Sequence, residues 1–290
     1  MGSGVVRFRR GLGLRNSGFV LVVLATGCPH SGGPTNVRTS RPGAGTIVGI
    51  TVRSGTPVAA VNDAFAALDR YEGELSEWNP GSKTSLACGG QSQWLDVRSV
   101  ELFTVATDLR QRTKGAFNLA WRGGGYTLVA DMLSTDPGTK LDLGGVLKGF
   151  LADRAADALR AAKVANFAVD AGGDIVVGGT EEPGGWGWPV TVVVGGKTQI
   201  VHVTGALSTS SQEQQPGHIR DARTGEASST LAGVFVEAPS GLLADSVATA
   251  LMAWGGFFDL PEAACGTVIE MSGRQGGQCG SSPPMWRSWD

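Results

Sequence analysis

Asp245 and Thr249 stand four residues apart in Ala244-Asp245-Ser246-Val247-Ala248-Thr249-Ala250-Leu251. Leu243, Val247 and Leu251 recur at i, i+4 and i+8, which predicts a helix. That spacing sets the carboxylate and the hydroxyl on one helix face. Two hard oxygen donors supplied together suit Mg2+, which leaves other positions for water or a phosphate. Asp and Thr are also common helix caps, so the pair by itself does not specify a metal.

Three upstream segments bear on the same chemistry. Leu141-Asp142-Leu143-Gly144-Gly145-Val146-Leu147-Lys148-Gly149-Phe150 reads as a Gly-rich turn entering a helix, with Lys148 in its first turn. Free N–H groups at such a turn attract phosphate. The segment is not a P-loop, because the GK[ST] element is missing, and it carries no GxGxxG fingerprint. Val169-Asp170-Ala171-Gly172-Gly173-Asp174-Ile175 reads as strand, turn and strand. Gly217-His218-Ile219-Arg220-Asp221-Ala222-Arg223-Thr224-Gly225 gathers a His, two Arg and an Asp in one loop. The chain has 3 His. His30 falls in a Pro/Gly/Ser-rich stretch and His202 in a strand-like run, so His218 is the acid/base candidate.

The elements that must position these residues are legible in outline. Val48, Ile50 and Val52 alternate as in a half-buried strand. Thr56-Pro57 opens a helix with an apolar stripe at Val58, Val61, Phe65 and Leu68, ending at Gly73. Residues 76–90 read as a polar loop. A second helix is expected from Ser99 as N-cap to Gly115 as C-cap. A third follows Gly144-Gly145, lined by Leu147, Leu151, Ala155, Ala158 and Ala162. Strands are expected at 166–169, 174–177, 190–194, 199–203, 231–237 and 267–271, the last closing the sheet. Helices early and late with strands clustered between them predict a single α+β domain, 44–273, with a mainly antiparallel sheet and flanking helices. Residues 274–290, rich in Gly, Ser and Pro and holding two Trp, read as an irregular tail.

Composition narrows the class. With 41% apolar and 17% charged residues, the 290-residue chain can build a proper core. The 45 Gly show no collagen period and indicate tight turns and close backbone approaches. A net charge of −2, with no basic run in the body of the chain, argues against a nucleic-acid partner. The N-terminus reads as an export signal over 1–27: Arg7, Arg9, Arg10 and Arg15, then an apolar run from Phe19 to Ala25 too short to span a bilayer. Leu24-Ala25-Thr26-Gly27-Cys28 resembles a bacterial lipobox, with Ala25 where Leu is commoner. Cys28 is therefore expected to carry lipid on the extracytoplasmic side of the membrane, with 28–43 as a flexible tether. Cys265 and Cys279 are candidates for a bridge across a C-terminal loop.

In order, these segments resemble the ApbE family of FAD:protein FMN transferases. The carriers are Asp142–Phe150, Gly172–Asp174, Ala206-Leu207-Ser208-Thr209-Ser210, His218–Gly225 and Ala244–Leu251. Upstream, Ser76-Glu77-Trp78-Asn79-Pro80-Gly81-Ser82 is similar to the family's flavin loop, with Trp78 where Tyr is usual. Gly115-Ala116-Phe117-Asn118 is similar to its Gly-x-Phe-Asp, with Asn118 for Asp, and Ala222 replaces Pro in the His loop. The resemblance implies an Mg2+-dependent transfer of FMN from FAD to a Thr or Ser hydroxyl of an exported protein, releasing AMP. It implies His218 as base and Gly145, Asp245 and Thr249 as metal ligands. It implies Ser76, Trp78, Asn118, Lys148, Asp174, Thr209 and Arg223 around FAD. Hydrolysis of FAD to FMN and AMP, or flavin binding without catalysis in an envelope lipoprotein, are the competing outcomes.

Overall fold

The computed structural model describes residues 21–24, 35–182, 184–194, 197–212, 217–227, 230–282 and 285–288. Strands β1 (Leu21–Leu24), β2 (Asn36–Gly43) and β3 (Thr46–Arg53) precede helices α1 (Val58–Leu75) and α2 (Lys83–Cys88). Then come β4 (Gln93–Trp94), α3 (Val97–Arg112), β5 (Tyr126–Val129), β6 (Met132–Thr135) and α4 (Leu147–Ala161). The second half holds β7 (Phe167–Ala171), β8 (Ile175–Gly178), β9 (Trp188–Val194), β10 (Lys197–Val203), β11 (Ala206–Ser210) and β12 (Leu231–Ala238). It closes with α5 (Gly241–Trp254), β13 (Cys265–Glu270), β14 (Arg274–Cys279) and β15 (Met285–Ser288). Nine strands form one antiparallel sheet in the order β15-β14-β13-β12-β11-β8-β7-β3-β2. Two three-stranded sheets, β1-β9-β10 and β4-β6-β5, accompany it. The fold is α+β with a mainly antiparallel sheet.

Both faces of the large sheet are covered, and strand alternation assigns each side chain to one cover. Val169, Val176, Ala206, Val234, Val236 and Val268 share a core with Leu68, Phe150, Leu151, Val247 and Leu251 of the helices. Their chain neighbours Ala168, Ile175, Val177, Leu207, Phe235 and Ile269 share a second core with Trp188, Val190, Val192, Val201 and Val203 of β9 and β10. Strands buried on both sides read as unbroken apolar runs, which is why Leu231 to Glu237 is recognisable without alternation.

Several boundaries depart from the sequence expectation. The helix from Val58 runs through Gly73 to Leu75, because Leu75 is buried and repays the glycine. The polar loop at 76–90 contains α2, capped by the Ser82 hydroxyl, which accepts from the Ser85 amide. Helix α3 is capped by Asp96, not Ser99: the Asp96 carboxylate accepts from the Ser99 amide at 2.8 Å. Within the stretch expected as a tether, Asn36–Gly43 is an edge strand on β3; its polar residues face water, so alternation is muted. The stretch expected as an irregular tail supplies β14 and β15, so Thr267 to Met271 does not close the sheet. Gly273, at φ 84°, makes the turn between β13 and β14, and Cys265 and Cys279, directly opposed, are bonded as a disulfide. Leu21–Leu24, inside the segment read as an export signal, pairs with β9. Cys28 and the rest of that segment lie outside the described residues.

Helices α4 and α5 cross where each carries a glycine. A Cβ on Gly149 would lie 2.1 Å from the Gly241 carbonyl oxygen, and one on Gly241 would lie 2.4 Å from that of Gly149. This approach lets α4 cap α5. Asp153 accepts from the amides of Gly241 (2.7 Å) and Leu242 (2.9 Å). Burial pushes the Asp153 carboxyl up to about 6, and the two amides offset only part of that. In the unfolded chain it titrates near the ordinary 3.8. Between these values the folded protein holds a proton that the unfolded chain releases. Its stabilising effect is therefore complete below the lower value and is lost as pH rises through about 6. The swing is roughly 3 kcal/mol. Relative to Asp153→Asn, which has no such proton, wild-type stability in urea unfolding should fall by that order between about pH 4 and pH 7. A stability difference that is flat with pH would overturn the assignment.

Candidate active site

A pocket of about 640 Å3 opens over the crossing of α4 and α5. Trp78, Asn118, Gly145, Lys148, Thr209, His218, Asp245 and Thr249 all line it. These residues come from a loop after α1, the α3–β5 connection, the entry to α4, β11, the loop before β12, and α5. Ser76, Asp174 and Arg223 do not line it.

Asp245 and Thr249 lie one turn apart on α5. Asp245 is 2% exposed, and its Oδ2 accepts from the Gly149 amide at 3.0 Å. Gly145 lies against Thr249: an added Cβ would stand 2.6 Å from Thr249 Cγ2 and 3.0 Å from Oγ1. Only glycine brings the turn's backbone this close to the hydroxyl. Beside them, Lys148 Nζ pairs with Asp174, and Asp174 also accepts from the Ser208 hydroxyl. Asp174 is buried behind Lys148.

Electrostatics at this end favour a cation. Burial, then the Asp174 charge, push the Asp245 carboxyl up to about 7; Lys148 and the Gly149 amide pull the other way. Burial works against the Lys148 charge, but Asp174 and Asp245 outweigh it and raise its pKa. With two carboxylates against one ammonium, the second negative charge is costly in a buried place, so Asp245 is open to a proton or a cation. The side-chain donors are a carboxylate and a hydroxyl, with the backbone of Gly145 close beside them. No group of three or more His, Cys, Asp or Glu gathers among the described residues. Hard oxygens with few protein charges fit Mg2+ that shares its sphere with water or phosphate, and do not fit zinc.

His218 enters on a loop held at several points. The Ala222 amide donates to the Ala116 carbonyl at 2.9 Å, tying the loop to the segment that carries Asn118. Ile219 is buried, while His218 is exposed at the pocket wall. Asp221 accepts from the Arg223 amide and guanidinium, and the hydrogen bonds from Arg223 hold its carboxyl below the ordinary value. Arg223 also sits 4.5 Å over the Trp254 ring, so it braces the loop instead of lining the pocket. Trp78 is 83% exposed at the mouth. Ser76 closes α1: its amide donates to the Glu72 carbonyl at 2.9 Å, and its hydroxyl accepts from the Trp78 amide at 3.4 Å.

The pocket also contains residues that were not among the expected site residues: Thr46, Glu77, Trp121, Arg122, Asp142 and Arg220. Asp142 Oδ2 accepts from Trp121 Nε1 (2.9 Å) and Arg122 (3.3 Å), while Oδ1 accepts from the Gly144 amide (3.0 Å). Glu77 accepts from the Leu143 amide at 3.2 Å, and burial, with the Asp142 charge adding to it, raises its carboxyl. Asp142 and Glu77 lie inside the motifs that carry the resemblance, so a local signal points to them. Trp121 and Arg122 sit in a stretch with no periodic pattern.

A sequence model described as the ApbE family matches residues 122–257, a span that holds Lys148, His218, Asp245 and Thr249 and leaves out Trp78 and Asn118. A curated relative from Rhodobacter capsulatus, named FAD:protein FMN transferase, is 28% identical over 256 residues, 69% of this chain and 48% of the relative. The chain thus spans about half the length of that relative. The solved flavin transferase ApbE of Vibrio cholerae superposes with a TM-score of 0.70 at 20% identity, covering 86% of this chain and 98% of that one. The apo flavinyl transferase ApbE of Pseudomonas stutzeri superposes with a TM-score of 0.68 at 20% identity, covering 90% and 96%. Over residues 122–257 the chain is similar to the ApbE family, and it shares the fold of the solved flavin transferases.

Proposed function

We propose that this protein transfers FMN from FAD to a Thr or Ser hydroxyl of an acceptor protein and releases AMP. The observation that carries the reading is the meeting of the Asp245–Thr249 oxygen pair, Lys148 and His218 in one pocket. The relative from Rhodobacter capsulatus bears the name of this activity. Asp245, Thr249 and a backbone carbonyl near Gly145 would hold Mg2+, which when bound neutralises pyrophosphate charge. Lys148 and the Gly145 amide favour phosphate at the entry to α4. Trp78 offers an aromatic face for a flavin ring at the mouth. His218 takes the proton of the attacking hydroxyl. The hydroxyl oxygen bonds to the flavin-side phosphorus, the pyrophosphate P–O bond breaks, and the electron pair leaves on AMP.

The test is incubation of the full chain with FAD, Mg2+ and a candidate acceptor, followed by mass measurement of the acceptor and AMP assay. Expected is an FMN adduct formed in step with AMP. His218 is exposed, so water is a rival nucleophile. Free FMN with AMP and no adduct on any acceptor would replace transfer by hydrolysis.

A further inference from the structure

Two residues beyond the end of β11, the Gln212 side chain reaches the backbone on both sides of His218. Its Nε2 donates to the Ile219 carbonyl, and its Oε1 accepts from the Gly217 amide at 2.9 Å. These are the backbone groups immediately after and before the imidazole-bearing residue. We propose that Gln212 is a positioning residue for His218: it clamps that loop to the end of β11, the central strand carrying Thr209, and so sets the imidazole's place in the pocket. The inference rests on the reading of His218 as the base.

The clamp answers a specific weakness. Gly217 lies at φ 80°, a region open to glycine, and glycine's own backbone does little to restrict the direction in which the next residue leaves. On the far side Ile219 is buried and fixed by packing. On the N-terminal side Gln212 bonds the Gly217 amide while holding the other end too. A neutral amide can donate to a carbonyl and accept from an N–H at once; Glu only accepts, and Lys and Arg only donate. Gln212 follows Ser210 and Ser211, which line the pocket with Thr209, so the clamp refers His218 to a wall of the same site.

A base displaced by about 1 Å loses up to 10²-fold in rate while ground-state binding changes little. Gln212→Ala should therefore lower turnover of FAD about 10- to 100-fold and leave the KM for FAD within about twofold. Gln212→Glu keeps the acceptor for the Gly217 amide and loses the donor to Ile219, so its turnover should lie between the two. A second readout is independent of activity: hydrogen exchange of the Gly217 amide, protected in wild type, should accelerate in Gln212→Ala. The His218 ring signal, one of 3 His signals in the chain, should shift. Wild-type turnover in Gln212→Ala, a KM rise that accounts for the whole loss, or a Gly217 amide already unprotected in wild type would each overturn the clamp. If Gln212→Ala does not fold, Gln212→Glu decides by the same measures. If the wild type turns over no FAD, the functional reading fails, and Gly217 exchange still decides the clamp.

Discussion

Asp245→Asn should lower AMP release from FAD by about 10²–10⁴-fold while the protein stays folded. The magnitude follows from losing a metal ligand that supplies several kcal/mol of charge stabilisation, at about 1.4 kcal/mol per tenfold. Asn keeps an acceptor for the Gly149 amide, the only hydrogen bond Asp245 makes in the α4–α5 crossing among the described contacts. It removes the charge that burial and Asp174 disfavour. The Tm of the variant should then be no lower than wild type, which separates loss of metal from loss of fold. Asp245→Ala should lose as much activity and also some stability, since it leaves that buried amide without its acceptor. EDTA should bring wild type to the level of Asp245→Asn, with restoration by Mg2+. Full activity in EDTA, or an active Asp245→Asn, would remove the metal from the mechanism.

His218→Ala should reduce covalent flavin on the acceptor by about 10²–10⁴-fold with FAD affinity nearly unchanged. The imidazole is exposed at the wall, and its loop is held by bonds that do not involve the ring: Ala222 to Ala116, Arg223 to Asp221, and Gln212 to the flanking backbone. Those bonds remain when the ring is removed. The measurement is flavin fluorescence on the denatured acceptor in a gel, beside FAD binding to the variant. Unchanged transfer would put the base elsewhere. Loss of FAD binding in step with transfer would make His218 a binding residue.

Much of the site is legible in the amino-acid sequence, because its chemistry is written locally. A spacing of four on a helix brings Asp245 and Thr249 to one face wherever that helix goes. A Gly-rich strand-to-helix turn presents amides whatever packs around it. The loop from Gly217 to Gly225 concentrates its charges within a few residues. Strands β3, β7, β8 and β12 are recoverable for the same reason: apolar runs and alternation are local signals.

Other features depend on partners far away in sequence. Strands β2, at one sheet edge, and β14, next to the other, are poor in apolar residues, and pairing with β3 and β13 makes them strands. Asp153 reads as an exposed-type residue within a helix, yet it caps another helix 88 residues away. Asp174 reads as part of a hairpin tip, but the fold buries it behind Lys148, 26 residues away, and withdraws it from the pocket. Arg223, by charge a phosphate candidate, is spent on Asp221 and Trp254. The chain's sequence by itself determined which functional groups exist and which near neighbours share a face, because helix and turn geometry act over a few residues. The tertiary structure decided which carboxylate lines the pocket beside Thr249, which sits behind the lysine, and what bonds flank His218. Those outcomes depend on desolvation and hydrogen bonding between segments that only the packed sheet and helices bring together.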